Sequence, residues 1–194
     1  MQIALATDIN TPVRIMYALS TSNYVIVRNC LAANKNCPLE IIEKFVEIKD
    51  ALMGVASNIC VPTDILESIV YVDNGIYQEF LSVNPRSTEK ILEQLYTHYD
   101  VAIRKNIALN PSTSQKILVD LASDISIAVR SKIVENEKTP LDTLKQLMED
   151  NSYISAVAQK NYNKRRNQKE KQEVVEEALS KTSSYNPTDE FILY

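Results

Sequence analysis

The sequence predicts an all-α protein: a right-handed α-solenoid of about six two-helix repeats of 24–26 residues, followed by a C-terminal capping helix and a tail. One pattern occurs twice between Asp100 and Asp150. Asp100 to Leu121 lies over Ile127 to Leu147 in a register of 26 residues, with Arg104 on Arg130, Asn110 on Asn136, Leu118 on Leu144 and Leu121 on Leu147. A unit this short cannot bury its apolar faces alone, so repetition at this period marks a stack. The 194 residues include only two glycines, Gly54 and Gly75, too few for the tight turns of a β-sandwich or for phosphate-cradling loops. An apolar content of 45% is enough to fill a core.

Walking back from Asn136 and Asn110, the same unit recurs at Asn84, Asn58, Asn34 and, with the asparagine replaced, at Asp8; from the amino terminus the spacings are 26, 24, 26, 26 and 26. The first helix of each unit runs into this anchor and carries apolar residues seven and three positions before it: Val27 and Leu31, Ala51 and Val55, Tyr77 and Leu81, Ile103 and Ile107, Val129 and Ile133. The second helix follows the anchor and is apolar at positions seven, eight and eleven, as in Ile41, Ile42 and Phe45 or Ile117, Leu118 and Leu121. That stripe is the signature of an amphipathic helix. Between the two helices come Thr11, Cys37, Val61, Ser87, Thr113 and Thr139, each followed by Pro12, Pro38, Pro62, Thr88, Ser114 or Pro140. The expectation is a hydroxyl at the N-cap and a proline at the first helical position, with Glu40 and Asp142 third, near the positive end of the dipole.

The repeats are expected to occupy residues 1–160. A degraded seventh unit begins at Ser152, with Ile154 and Ala158 in the core slots and Asn161 at the anchor, but Lys164, Arg165 and Arg166 replace its cap and proline. Residues 161–182 are expected to form a basic capping helix, with Val174, Val175, Ala178 and Leu179 at helical spacing. Residues 183–194 read as a flexible acidic-hydrophobic tail, since Ser183 to Pro187 breaks the helix.

Composition narrows the function classes. A net charge of −4 and a pI near 5.2 argue against a surface devoted to nucleic acid. Cys30, Cys37 and Cys60 are scattered and lack any C-x-x-C spacing, so neither a disulfide framework nor a metal site is legible, and no cofactor is expected. With no secretory signal and no segment of membrane-spanning length, a cytoplasmic protein without membrane contact is expected.

The unit, roughly apolar-x-Val-Arg-x-x-apolar-Ala-x-Asn-Pro-x-Thr-Pro-x-x-x-Leu-x-x-Leu, resembles the variant leucine-rich repeat, a HEAT-like α-helical repeat of bacteria. Val27-Arg28, Ile103-Arg104 and Val129-Arg130 carry the Val-Arg step, and Asn84-Pro85 and Asn110-Pro111 the Asn-Pro turn. The resemblance covers residues 1 to about 160 and implies a binding scaffold. It also implies that Arg28, Arg104 and Arg130 form a structural ladder, bonding to carbonyls or acids of neighbouring repeats. Some members carry an iron–sulfur centre on an amino-terminal cysteine cluster, which this sequence does not supply.

Two function classes follow. The first is a non-enzymatic protein–protein interaction scaffold or adaptor that holds a protein partner on the curved solenoid face. Asp189, Glu190, Phe191, Ile192, Leu193 and Tyr194 would add a docking peptide similar to the tails that engage sliding clamps. The alternative is a nucleic-acid-associated protein that uses the arginine slots and the basic run Lys160, Lys164, Arg165, Arg166, Lys169 and Lys171. The outer positions of the second helices are slightly acidic: Glu40, Glu43, Asp64, Glu67, Glu89, Glu93, Asp120 and Asp142 against Arg14, Lys44, Lys90, Lys116 and Lys145. They read either as a face for a basic or mixed protein surface or as solvated faces with i, i+4 pairs. No catalytic constellation is visible. The single histidine, His98, follows Leu95 at a helix end, where a dipole contact accounts for it.

Overall fold

The apolar stripes of the sequence lie on helices and face inward. The computed structural model describes residues 1–72 and 75–183, and the chain divides into two compact units, Met1–Thr139 and Pro140–Tyr194. The first unit contains α1 (Gln2–Thr7), α2 (Val13–Ser20), α3 (Val25–Ala33), α4 (Leu39–Glu47), α5 (Leu52–Ser57), α6 (Thr63–Ile69), α7 (Gly75–Val83), α8 (Glu89–Leu95), α9 (Val101–Leu109), α10 (Gln115–Leu121) and α11 (Ile127–Glu135). The second contains α12 (Leu141–Leu147) and α13 (Ile154–Ser183), which pack on each other. The architecture is all-α, and in the first unit helix pairs follow one another in a repeating, solenoid-like packing. The odd-numbered helices α1 to α11 stack each on the next, and α4, α6 and α8 form the looser second row.

Burial follows the repeat slots. Leu31, Val55, Leu81, Ile107 and Ile133 of the odd row and Met16, Ile42, Leu66, Leu92 and Leu118 of the even row are all buried. Ile15 and Ile65, in an otherwise buried slot, are half-buried. In the second unit Leu144, Leu147, Ile154 and Ala158 are buried. The core residues Ile154 and Ala158 of the degraded seventh unit and the basic segment after them share the single helix α13.

The anchors are the principal polar contacts of the odd row. Asn34 Nδ2 donates to the carbonyls of Ala6 and Asp8, Asn58 to Ala32 and Asn34, Asn84 to Ala56 and Asn58, Asn110 to Ser82 and Asn84, and Asn136 to Ala108 and Asn110. Meanwhile each Oδ1 accepts the backbone N–H two residues on, from Asn36, Cys60, Arg86, Ser112 or Lys138, at 2.8–2.9 Å. One amide thus closes its own turn and ties it to the preceding segment. Asp8 keeps the first role, accepting from the Asn10 N–H at 2.9 Å, but a carboxylate has no N–H for the second.

The connections between the helices of a pair differ from expectation by one position. Pro12, Pro38, Pro62 and Pro140 are N-caps, with φ between −54° and −59° and ψ between 137° and 148°. The pyrrolidine ring presets this extended φ, and the proline carbonyl accepts early intrahelical bonds, as from Met16 N–H to Pro12. Glu40 and Asp142 therefore fall second in their helices. The preceding hydroxyl turns backward: Thr11 donates to the Leu5 carbonyl, Ser87 to Leu81, Thr113 to Ile107 and Thr139 to Ile133, each at 2.6 Å. It adds a donor to a carbonyl of the first helix, which at Leu81, Ile107 and Ile133 also accepts the anchor asparagine's N–H, rather than capping an N–H at the start of the second.

The 24-residue spacing has a local cause. Helix α5 has six residues where α3, α7, α9 and α11 have nine, and the link into it passes through left-handed Lys49 (φ 53°) and Ala51 (φ 50°). The shortened helix lies close against α3. A Cβ on Gly54 would stand 2.2 Å from the Asn29 carbonyl oxygen and 2.7 Å from Ala32 Cβ, and Asn29 Oδ1 accepts the Gly54 N–H at 3.0 Å.

Three substitutions, each read by urea unfolding, test these contacts. Asn110→Ala removes the donor to the Ser82 carbonyl, one of two donors to the Asn84 carbonyl and the acceptor of the Ser112 N–H, and is expected to cost about 3 kcal/mol. Asn110→Asp, which turns a carboxylate toward those carbonyls, is expected to be worse at neutral pH and to recover in part as acid protonates it. Gly54→Ala forces α5 from α3 and is expected to cost about 2 kcal/mol.

Candidate binding surfaces

The arginine slots are occupied by contacts within the fold. Arg28 Nε lies 2.5 Å from the Asp50 carboxylate, and Arg104 bonds Asp124 through Nε at 2.6 Å and Nη2 at 3.0 Å. Arg28 Nη1 also donates to the Ser22 carbonyl, Arg104 Nη1 to those of His98 and Tyr99, and Arg130 Nη1 to those of Asp124 and Ile125. Each guanidinium therefore closes the turn that leads into its own helix. Arg28 and Arg104 also reach the acid of the following segment. Asp100, which precedes Arg104 in sequence, instead caps α9 by accepting the Ala102 N–H at 2.8 Å. Asp50 reaches Arg28 from the left-handed Lys49–Ala51 link.

The Arg104–Asp124 pair is largely removed from solvent, with side chains 11% and 7% exposed. Burial works against the Asp124 carboxylate. Hydrogen bonds from Arg104 and the Ser126 N–H, with the charges of Arg104 and Arg130, outweigh it and hold the group below its ordinary range. Hydrogen bonding to Asp124 raises the Arg104 guanidinium in turn.

On the even row, charges pair between neighbouring helices rather than along one helix. Lys90 meets Glu67 and Lys116 meets Glu93, each at 3.0 Å, while the Tyr17 hydroxyl contacts Glu40. These pairs neutralise part of the acidic face. His98 lies three residues beyond the end of α8, where Nδ1 accepts the Asp100 N–H at 3.0 Å and the ring stacks on Tyr99 at 4.2 Å. It belongs to the turn into α9. Burial pushes the Cys37 thiol up to about 12, so it is not a nucleophile at neutral pH.

The basic run lies on α13, where Lys160, Lys164, Arg166, Lys169 and Lys171 are exposed and Arg165 is half-buried. Arg166 pairs with Glu170 at 2.8 Å, and Lys169 stands 3.8 Å from Glu173. Asp189, Glu190, Phe191, Ile192, Leu193 and Tyr194 lie outside the described residues.

One surface went unread in the sequence. At successive turns from even to odd helices of the first unit stand Tyr24, Ile48, Tyr71, Tyr99 and Ile125, all exposed, with Tyr99 at 86% and Ile125 at 92%. Val25, Ile26, Ile76, Val101 and Ile127, at the starts of the odd helices, add to the row. A depression between its last two turns is lined by Tyr96, His98, Tyr99, Leu121, Asp124 and Ile125. The available signal was position: each of the five precedes its anchor by ten, eleven or thirteen residues, outside the core slots.

Asp124 also generates a pH prediction. Its folded pKa is depressed, so its stabilisation is present above the unfolded value near ~3.9 and lost as pH falls through the lower folded value. Asp124→Asn is expected to cost about 2 kcal/mol at pH 7, between an exposed and a buried pair. In denaturant titrations the gap from the parent should narrow as pH drops below about 4.

Among the described residues no helix is long and apolar enough to cross a membrane, and no group of three or more His, Cys, Asp or Glu side chains is placed to hold a metal ion. No protein-family model, curated protein or solved structure matches this chain.

Proposed function

We propose that the chain is a non-enzymatic scaffold of the variant leucine-rich-repeat, HEAT-like kind. Its fold in this reading is a right-handed solenoid of about six two-helix repeats that holds a protein partner on its stacked turns. The observation that carries the proposal is the apolar row Tyr24, Ile48, Tyr71, Tyr99 and Ile125. A protein gains nothing by leaving such a row in water at successive turns, and contiguous exposed apolar surface is the ordinary mark of an interaction site. Tyrosine suits such a face because its ring gives contact area at small entropic cost while its hydroxyl stays wet.

Charge distribution favours a protein over nucleic acid on this unit. The guanidinium groups of Arg28, Arg104 and Arg130 already donate to carbonyls, and those of Arg28 and Arg104 also to carboxylates. A phosphate would have to displace those bonds. The segment Asp189–Tyr194 adds a docking peptide in this reading, an acidic pair followed by four apolar residues.

The test is affinity capture from host lysate with three baits: the full chain, the double variant Tyr99→Ser/Ile125→Ser, and a version ending at Lys181. A discrete protein held by the full chain and lost by the double variant is the expected result. Loss on truncation alone would move recognition to the docking segment. Capture that disappears with nuclease treatment and falls steeply with salt would overturn the scaffold in favour of nucleic-acid binding. Because both substituted side chains are almost fully exposed, the double variant is expected to melt within about 1 °C of the parent.

A further inference from the structure

The second unit contains a helix far longer than its packing requires. Helix α13 runs for 30 residues, about 45 Å, yet among its residues of described burial only Ile154 and Ala158, both in its first two turns, are buried. From Asn163 to Glu177 every side chain except half-buried Arg165 is exposed, whichever way it points around the helix. Val174, Val175 and Leu179 are 66%, 56% and 62% exposed. A helical stretch of this length with no packed face is marginal in water, because helices draw most of their stability from an apolar side laid against something.

Its charges are divided about one point. Lys160, Lys164, Arg165, Arg166, Lys169 and Lys171 precede Gln172, with Glu170 the one acid among them, while Glu173, Glu176 and Glu177 follow it directly. A helix basic in one half and acidic in the next is complementary to itself when turned end for end. Laid parallel, two copies would set base on base and acid on acid.

We infer that α13 pairs antiparallel with α13 of a second copy, about a two-fold axis between Glu173 and Val174. Arg165, Gln168, Gln172, Val175 and Leu179 recur at intervals of three and four and form one side of the helix. With Gln172 opposite the second copy's Val175, and Gln168 opposite its Leu179, the rim places Lys169 against the second copy's Glu176. The symmetry makes that contact twice, as an isologous interface must. Among the described residues Glu176 has no ion pair within its own chain, and Lys169 has only the long contact to Glu173, so both charges are available. The polar seam makes the association modest and dependent on salt.

Charge reversal on the full chain, read by sedimentation equilibrium, tests the pairing. The parent is expected to dimerise. Lys169→Glu and Glu176→Lys should each weaken association about tenfold, since two attractions become two repulsions, and the double reversal should restore most of it. Far-UV circular dichroism reports whether either reversal unwinds the helix. A second measurement needs no substitution: zero-length carbodiimide cross-linking of mixed light and heavy copies should yield a Lys169–Glu176 link joining the two isotopes. Seven residues apart on one helix, the two groups are about 10 Å from each other and beyond such a link within a chain. A chain monomeric to about 100 µM overturns the inference. So does a dimer indifferent to both reversals, or the absence of any mixed-isotope link.

Discussion

The asparagine ladder is the constraint on which the first compact unit depends. Stacking short helices end beside end leaves carbonyls at every C-terminus, buried where the next segment packs over them. Asn34, Asn58, Asn84, Asn110 and Asn136 answer this with one side chain each, donating twice to the segment before and accepting once from their own turn. The backward-turned hydroxyls of Thr11, Ser87, Thr113 and Thr139 take further carbonyls of the same helix ends. With those groups satisfied, the apolar slots of the odd row are free to close on one another.

The arginine–acid pairs repeat this logic at the opposite turns. Arg104 joins the carbonyls of the turn before it to the carboxylate of the segment after it, and Arg28 does the same with Ser22 and Asp50, so α3 and α9 are tied at the turns opposite their asparagines. The irregular junction supports this account. Where α5 loses its first turn, Asp50 still reaches Arg28, and the strained link through Lys49 and Ala51 offsets the missing residues. Gly54 permits the close approach that the shorter helix then makes.

With its hydrogen-bonding groups consumed inside, the first unit offers a partner mainly its leftovers: an apolar row along the turns and a partly neutralised charged face on the even helices. The second unit offers a long helix whose charges change sign at its middle. The two surfaces differ in chemistry, one aromatic and aliphatic, the other electrostatic, and suit different occupants.

What the sequence by itself determined was what is periodic. Helices, their apolar slots and the boundaries set by asparagine and proline are legible because a 3.6-residue period and a 26-residue repeat are properties of the chain alone. The roles of the polar residues were decided by tertiary structure. Asn110 reads as a turn residue, and only the neighbouring segment supplies the carbonyls that make it a ladder. Thr113 reads as a cap for the helix after it, and only the fold shows the carbonyl behind it. Asp124 precedes Arg130 in the chain and gives it a carbonyl, but its carboxylate pairs with Arg104, twenty residues earlier, which only the stacking of successive turns brings within reach. For the exposed row of Tyr24, Ile48, Tyr71, Tyr99 and Ile125 the sequence offered position alone, for the same reason. Exposure is set by what lies across from a side chain, and the sequence lists only what lies next to it.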